Sequence, residues 1–286
     1  MRLEARRSPA YEARQGGRLD FRSKLARAWR TSETSLCVGL DPIIGRMPSE
    51  FAKAERPVLA FNRHIVDLVG GRVAAFKPQF AHHAAVGAED DLARTIAHIR
   101  ERAPHAVVIL DAKRGDIGST AEMYAREAFE RYDADAVTVN PYMGDDTIVP
   151  FLGRADRAAV VLCRTSNPDA DRFQTADAGG EPLFLAVARR AQEFWSKQGN
   201  VMLVVGATAP RELAAVRKVA PDLAILVPGF GQQGGSAEDV IRAGRRADGQ
   251  GLLVSASRSI LYAGDAEAIS QAVEEARRAL AEPVKA

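Results

Sequence analysis

This chain of 286 residues has few cysteines and few aromatic residues, and it has no large excess of either charge. Its two cysteines, Cys37 and Cys163, are too few for a disulfide scaffold or a thiolate metal cage, and we expect both to lie in the core. The 39 basic residues nearly balance the 37 acidic ones, so the net charge of +2 gives no electrostatic reason to expect nucleic acid or an anionic membrane as partner.

Long hydrophobic runs are also missing. The longest uninterrupted apolar stretches, such as residues 158–163, reach about six residues, whereas a membrane span needs ~20. Charged residues interrupt the start of the chain, so no secretory hydrophobic segment follows Met1. These features predict a globular protein of the cytoplasm.

The first 20 residues are charged and show no apolar periodicity, which predicts a loose N-terminal extension over residues 1–20. A short leading helix is predicted over residues 21–30. No linker rich in proline, glycine or serine divides the remainder, so residues 21–286 are expected to form one domain.

Within that domain, short apolar runs alternate with amphipathic stretches of helical period. The runs are continuous rather than alternating, which is typical of strands buried on both faces of a parallel sheet. They lie at Leu36–Leu40, Val73–Phe76, Val107–Leu110, Ala136–Val139, Ala159–Leu162, Val201–Val205, Ala224–Val227 and Leu252–Val254. Eight βα units in ~250 residues predict an α/β fold of the (β/α)8 TIM barrel type, with a doubly wound open sheet as the alternative.

Functional residues of such a barrel lie at the carboxyl ends of its strands. The polar residues that directly follow the apolar runs are therefore candidates, and almost every run supplies some. They are Asp41, Lys77, Asp111, Lys113, Asp116, Asn140, Arg164, Ser166, Asn167, Thr208, Ser255, Ser257 and Arg258.

The densest group of candidates is Asp111, Lys113 and Asp116. Side chains two apart on a strand point to the same face, so Asp111 and Lys113 are expected to meet, with Lys77 on the neighbouring strand. An ordinary ion pair at a strand end is the alternative. Four alternating charges would be costly to desolvate merely to hold a fold, but carboxylates can keep an ammonium group charged and fixed so that it protonates a carbanion.

A glycine-rich loop at residues 228–235 follows one predicted strand and precedes a helix. Glycines such as Gly229 let backbone N–H groups approach an anion, and the helix N-terminus adds a favourable dipole. Arg258, after the eighth run, could clamp the same anion with two hydrogen bonds. The sequence therefore predicts phosphate binding here.

The segment LDAKRGDIGSTAEMYA, with FKPQ before it and VPGFGQQGG and SASRSI after it, closely resembles the orotidine 5′-phosphate decarboxylase family. The segments VTVNPYMG, LCRTSNP and VVGAT are similar to the longer bacterial subgroup (type 2) of that family. The resemblance runs from about Leu36 to Tyr262, roughly four-fifths of the chain. It implies the cofactor-free removal of CO2 from C6 of orotidine 5′-phosphate to give UMP, the last step of de novo UMP biosynthesis.

Carried over by position, the resemblance also implies roles for single residues. Lys77, Asp111, Lys113 and Asp116 would form a catalytic tetrad with Lys113 as the proton donor. Substrate-binding residues would be Asp41 at the ribose, Ser166 at the pyrimidine, and Gly229, Gln233 (in preference to Gln232) and Arg258 at the 5′-phosphate. Asp116, Ile117 and Thr120 would reach into the neighbouring subunit's site in a homodimer. No metal, nicotinamide, flavin or pyridoxal is implied.

Three other hypotheses remain open from the residues alone. Lys113 could be the Schiff-base nucleophile of an aldolase-type barrel, although the adjacent carboxylates argue against this by keeping the amine charged. A metal-dependent relative could act on a sugar phosphate through an enediolate. A module that only binds a phosphate ligand would need Arg258 and the glycine loop but would have no use for the four charges.

Overall fold

The barrel predicted from the eight βα units is closed. A computed structural model of the protein describes residues 19–230 and 235–281, apart from the side chain of Gln198. Within these ranges eight parallel strands follow one another in chain order around the barrel. They are β1 (Leu36–Leu40), β2 (Ala75–Pro78), β3 (Val107–Arg114), β4 (Ala136–Val139), β5 (Ala158–Arg164), β6 (Val201–Val205), β7 (Ala224–Pro228) and β8 (Leu252–Ala256). Closure is made by β1 and β8, where Cys37 pairs with Ser255, and this excludes the open sheet.

One helix precedes β1, and the helices that follow the strands cover the outside of the barrel. In chain order they are α1 (Phe21–Ser32), α2 (Ser49–Ala52), α3 (Pro57–Val69), α4 (Phe80–Ala84), α5 (Glu89–Arg102), α6 (Gly118–Arg126), α7 (Val149–Leu152), α8 (Asp171–Gln174), α9 (Leu183–Glu193), α10 (Pro210–Val219), α11 (Ala237–Gly244), α12 (Arg258–Leu261) and α13 (Ala266–Ala281). A π-helical turn, Glu127–Arg131, continues α6. Several of the starts show sequence signals: for example, Pro57 begins α3, and the Ser236 hydroxyl accepts from the Asp239 N–H of α11.

Strand side chains alternate between two hydrophobic clusters. Leu36, Val38 and Leu40 pack outward against the helices, whereas Cys37 points into the barrel interior. Cys37 and Cys163 are both buried free thiols, and burial raises the pKa of each to about 12. The expectation that both cysteines are core residues is therefore confirmed.

Helix α1 closes the amino-terminal end of the barrel. It begins at Phe21, after Asp20 accepts a hydrogen bond from the Ser23 N–H, and it packs Phe21 and Trp29 against the interior cluster. The ammonium of Lys24 lies 2.9 Å from the buried Asp135 carboxylate, just before β4.

Of the predicted extension over residues 1–20, residues 1–18 lie outside the described residues. Among the described helices, none has the length and apolar character to cross a bilayer.

Candidate active site

Lys77 and Asp111 meet at the carboxyl end of the barrel, as the strand-end rule predicts. Lys77 belongs to β2 and Asp111 to β3, and the Lys77 Nζ donates to Asp111 Oδ2 over 2.9 Å. Both residues are buried. A second carboxylate, Asp41 after β1, lies 3.9 Å from the Lys77 Nζ. Carboxylates from β3 and from the end of β1, the strands on either side of β2, therefore flank one buried ammonium group.

Lys113 completes the charge cluster from the same strand as Asp111. Its Nζ donates to Asp111 Oδ1 over 2.7 Å, and its side chain is 50% exposed, which leaves the ammonium open to a ligand at the rim. The expected contact is confirmed, but a regular pleat does not produce it. The register between β3 and β4 shifts between Leu110 and Arg114, and Lys113 has a left-handed φ of 46°. A bulge brings the two side chains together instead.

Asp111 accepts two further hydrogen bonds, from residues that do not directly follow an apolar run. The Gln79 Nε2 donates to Oδ2 over 2.9 Å, and the Thr138 hydroxyl donates to Oδ1 over 2.9 Å. With Lys77 and Lys113, these donors give each carboxylate oxygen two hydrogen bonds and fill its ordinary capacity. These four hydrogen bonds therefore fix the orientation of the Asp111 carboxylate.

The cluster shifts the pKa of its buried members toward the charged forms. Burial alone would raise the pKa of Asp111, but the ammonium groups of Lys77 and Lys113 outweigh burial and hold that pKa well below its ordinary value. Burial alone would lower the pKa of Lys77, yet the carboxylates of Asp111 and Asp41 raise it above the ordinary value. A buried carboxylate and a buried ammonium therefore both remain charged at neutral pH.

Asp116 and Ile117 directly precede α6, and Thr120 lies in its first turn. The Asp116 carboxylate accepts from the Ile117 N–H over 2.8 Å, and no ion pair to it is found within the described ranges. Ile117 is 58% exposed and Thr120 is exposed as well. Asp116, Ile117 and Thr120 are thus near the rim, but within the described part of the single chain no hydrogen bond or ion pair joins them to the Lys77, Asp111 and Lys113 cluster.

Ser166 lies after β5, beside Gly206, which follows β6. A Cβ built at Gly206 would stand 2.8 Å from the Ser166 Cβ and 3.0 Å from its backbone nitrogen, so only glycine permits this close approach. The tight packing fixes the loop that carries the predicted pyrimidine contact. Ser166 is partly exposed and so remains accessible from the rim.

The predicted phosphate-binding residues are divided between the loops after β7 and β8. Gly229 has a φ of 91°, a conformation that glycine adopts without strain, and it starts the loop after β7. Arg258 is exposed and begins the short helix α12 after β8. Gln233 and its neighbour Gln232 lie outside the described residues. The structure thus brings Gly229 and Arg258 to adjacent strand ends, as the barrel rule predicts.

Tyr262 links the loop after β1 to the segment that carries Arg258. Its hydroxyl accepts from the Ile43 N–H over 2.7 Å and donates to the Asp41 carbonyl over 3.3 Å. The ring stacks on Phe61 with a centroid separation of 5.8 Å. This contact connects the predicted ribose and phosphate ends of the site.

Within the described ranges, no group of three or more His, Cys, Asp or Glu residues could hold a metal ion.

In comparison with known proteins, the chain matches one family. Residues 34–273 match the model of the "Orotidine 5'-phosphate decarboxylase / HUMPS family". The chain is 51% identical over 243 residues to the orotidine 5′-phosphate decarboxylase of Ralstonia pickettii (strain 12J), covering 85% of this chain and 90% of the relative. It is 47% identical over 257 residues to that of Janthinobacterium sp. (strain Marseille), covering 90% and 95%. The solved OMP decarboxylase of Leishmania donovani superposes with a TM-score of 0.80 at 37% identity, covering 92% of this chain and 97% of that one.

Proposed function

The chain belongs to the orotidine 5′-phosphate decarboxylase family, and we propose that Lys113 is the residue that protonates the C6 carbanion to form the product. The reaction converts orotidine 5′-phosphate to UMP and CO2 in pyrimidine biosynthesis. The observation that supports the proposal is the 2.7 Å contact between the Lys113 Nζ and the buried Asp111 carboxylate. It holds an accessible ammonium group at the carboxyl end of the barrel, next to the buried ammonium of Lys77.

The bond between C6 and the carboxyl carbon breaks, CO2 leaves, and the electron pair stays on C6. No ring group is placed to delocalise that pair, so the intermediate approximates a vinyl carbanion. Lys113 stabilises the growing negative charge and then gives one N–H proton to C6. Because its side chain is half exposed, Lys113 can regain the proton from solvent. Proton transfer contributes about 10²–10⁴-fold, so fixed charges in the site must supply most of the remaining acceleration.

Asp111 has two roles in this proposal. It would orient Lys113, and its charged carboxylate would repel the substrate carboxylate and favour its departure. The low pKa of Asp111 supports the second role, because a carboxyl group protonated at neutral pH would exert no such repulsion. Lys77 keeps that charge in place from the opposite side.

The rest of the substrate would be bound by the other residues of the rim. Asp41 would contact the ribose, Ser166 the pyrimidine, and Gly229, Gln233 and Arg258 the 5′-phosphate. Binding energy from the phosphate, far from C6, would then help to close the loops and exclude water during reaction.

The expected cytoplasmic location of the protein remains a prediction.

We expect the purified enzyme to turn over orotidine 5′-phosphate at an undiminished rate in excess chelator. The physical reason is that Lys77 and Lys113 already supply positive charge and a proton, the tasks that a metal ion performs in metal-assisted catalysis. Turnover can be followed by the ultraviolet change or by released CO2. Activity that vanishes in chelator and returns with a divalent cation would show that the ammonium groups do not suffice.

We also propose that the enzyme is a homodimer in which Asp116, Ile117 and Thr120 reach the partner's site. The supporting observation is an exposed apolar surface around Asp116. Ile117 and Met123 contribute to it from the start and middle of α6, Tyr142 and Met143 from the loop after β4, and Val149 from α7. Exposed apolar residues on neighbouring elements are typical of a surface that a partner covers.

Mixing two inactive variants should restore activity if the site is shared. Lys113→Ala and Asp116→Ala chains re-associate at random, and each mixed dimer then holds one site with both Lys113 and Asp116 intact. Equal mixing should restore about a quarter of the wild-type sites, measured as turnover after subunit exchange. Mixing Lys113→Ala with Asp111→Ala is the matched control and should restore nothing, because both residues come from one chain. No recovery in the first mixture would mean that Asp116 does not act across the interface.

A further inference from the structure

We infer that Thr138 is a positioning residue that sets the geometry of Asp111 and Lys113 for decarboxylation. Thr138 lies within the apolar strand β4 and is 1% exposed. Its hydroxyl oxygen is 2.9 Å from Asp111 Oδ1, 3.0 Å from the Ala112 backbone nitrogen and 2.9 Å from the Lys113 backbone nitrogen. One buried hydroxyl therefore contacts both the carboxylate and the backbone of the proposed proton donor.

The direction of each hydrogen bond follows from the donor inventory. A threonine hydroxyl has one hydrogen to donate and two lone pairs to accept with. The N–H groups of Ala112 and Lys113 can only donate, so they occupy the lone pairs. The single hydroxyl hydrogen is then left for the charged Asp111 oxygen. Hydrogen bonds to an ionised group are the stronger kind, and the capacity of the Thr138 hydroxyl is completely used.

Thr138 also replaces backbone hydrogen bonds that the bulge in β3 removes. Leu110 pairs with Val137 and Arg114 with Val139, so the chain advances four residues on β3 for two on β4. The ladder resumes where the Asn140 N–H donates to the Arg114 carbonyl over 2.8 Å. Inside the bulge, Ala112 and Lys113 have their N–H groups satisfied by the Thr138 side chain instead of by strand β4 backbone.

This arrangement stabilises a backbone conformation that lysine rarely adopts. Lys113 has a φ of 46°, in the left-handed region where a side chain is strained. The same hydroxyl that holds this backbone also fixes the carboxylate to which the Lys113 ammonium is bonded. Thr138 therefore couples the placement of the amine to the orientation of Asp111.

The test compares Thr138→Val, which keeps the shape and removes the hydroxyl, with Thr138→Ser, which keeps the hydroxyl. We expect kcat of Thr138→Val to fall by about 10- to 100-fold, the loss that corresponds to one hydrogen bond to a charged group. The affinity for UMP should change less than about threefold, because binding of the phosphate and ribose does not use Thr138. Thr138→Ser should retain kcat within about fivefold of the wild type.

Hydrogen exchange provides a second readout that is independent of turnover. The Ala112 and Lys113 amides should exchange faster in Thr138→Val than in the wild type or in Thr138→Ser. Thr95→Val is the matched control, since Thr95 is also fully buried but lies on α5, where its hydroxyl accepts from the Asn62 amide over 3.3 Å. That variant should leave kcat unchanged. If Thr138→Val does not fold, Thr138→Ala and Thr138→Ser form the comparison.

Three outcomes would overturn the inference: kcat of Thr138→Val within about threefold of the wild type, equal losses in Thr138→Val and Thr138→Ser, or a loss of UMP affinity as large as the loss of kcat. The inference rests on the proposed role of Lys113, and the two can fail separately. An active Lys113→Ala variant would refute the proton donor, whereas an active Thr138→Val beside an inactive Lys113→Ala would refute only the positioning role.

Discussion

Replacing Lys113 by alanine should lower kcat by on the order of 10³-fold or more, because the change removes both the proton donor and a positive charge beside the developing carbanion. The loss should be in kcat rather than in binding of UMP, which lacks the carboxyl group that leaves. Steady-state turnover of orotidine 5′-phosphate and calorimetric titration with UMP measure the two quantities separately.

Lys218 provides the matched control for this substitution. It is exposed in the last turn of α10, and Lys218→Ala should have the activity of the wild type. A Lys113→Ala variant whose kcat stays within about tenfold of the wild type would contradict the proposed mechanism, since general acid catalysis alone contributes more than that.

Replacing Arg258 by alanine should reduce kcat/KM roughly 150-fold, which corresponds to about 3 kcal/mol of activation free energy. This loss is expected although Arg258 is not expected to contact the reacting carbon. The reason is that a charged clamp on the phosphate supplies binding energy that helps to close the site around C6. Kinetics with orotidine 5′-phosphate give the loss directly, and less than about a tenfold loss would contradict this use of phosphate binding.

Orotidine, which lacks the phosphate, sharpens that experiment. If Arg258 acts only through the phosphate, Arg258→Ala and the wild type should decarboxylate orotidine at the same low rate. A loss on orotidine as large as that on orotidine 5′-phosphate would show that the substitution disturbs the site in general. Arg63→Ala, at an exposed position on the outer helix α3, controls for loss of a surface charge.

The bounds of a strand were predictable where both of its faces are buried, because such a strand is a continuous apolar run. Leu36–Leu40, Ala136–Val139 and Val201–Val205 have the predicted bounds. Strands β3 and β5 run further than their apolar runs, to Arg114 and Arg164, because backbone pairing continues after the side chains become polar. Closure of the barrel was predicted from the number of βα units and not from periodicity, which carries no information on whether β1 pairs with β8.

The site was predictable only where a polar residue follows an apolar strand. This pattern identified Lys77, Asp111 and Lys113, which the structure brings into contact. Thr138 gave no such signal, because it lies inside a strand, where a β-branched residue is common for reasons of shape alone. Gln79 was likewise hidden by its place after Pro78, and its contact with Asp111 follows from the pairing of β2 and β3.

Because the backbone at Lys113 is left-handed, the residue that would be best for stability at this position differs from the residue that catalysis requires. Judged by conformational energy alone, glycine or asparagine would suit the bend better than lysine. Selection for heat resistance without selection for turnover would therefore favour loss of the amine, and a library screened for robustness should be checked first at position 113.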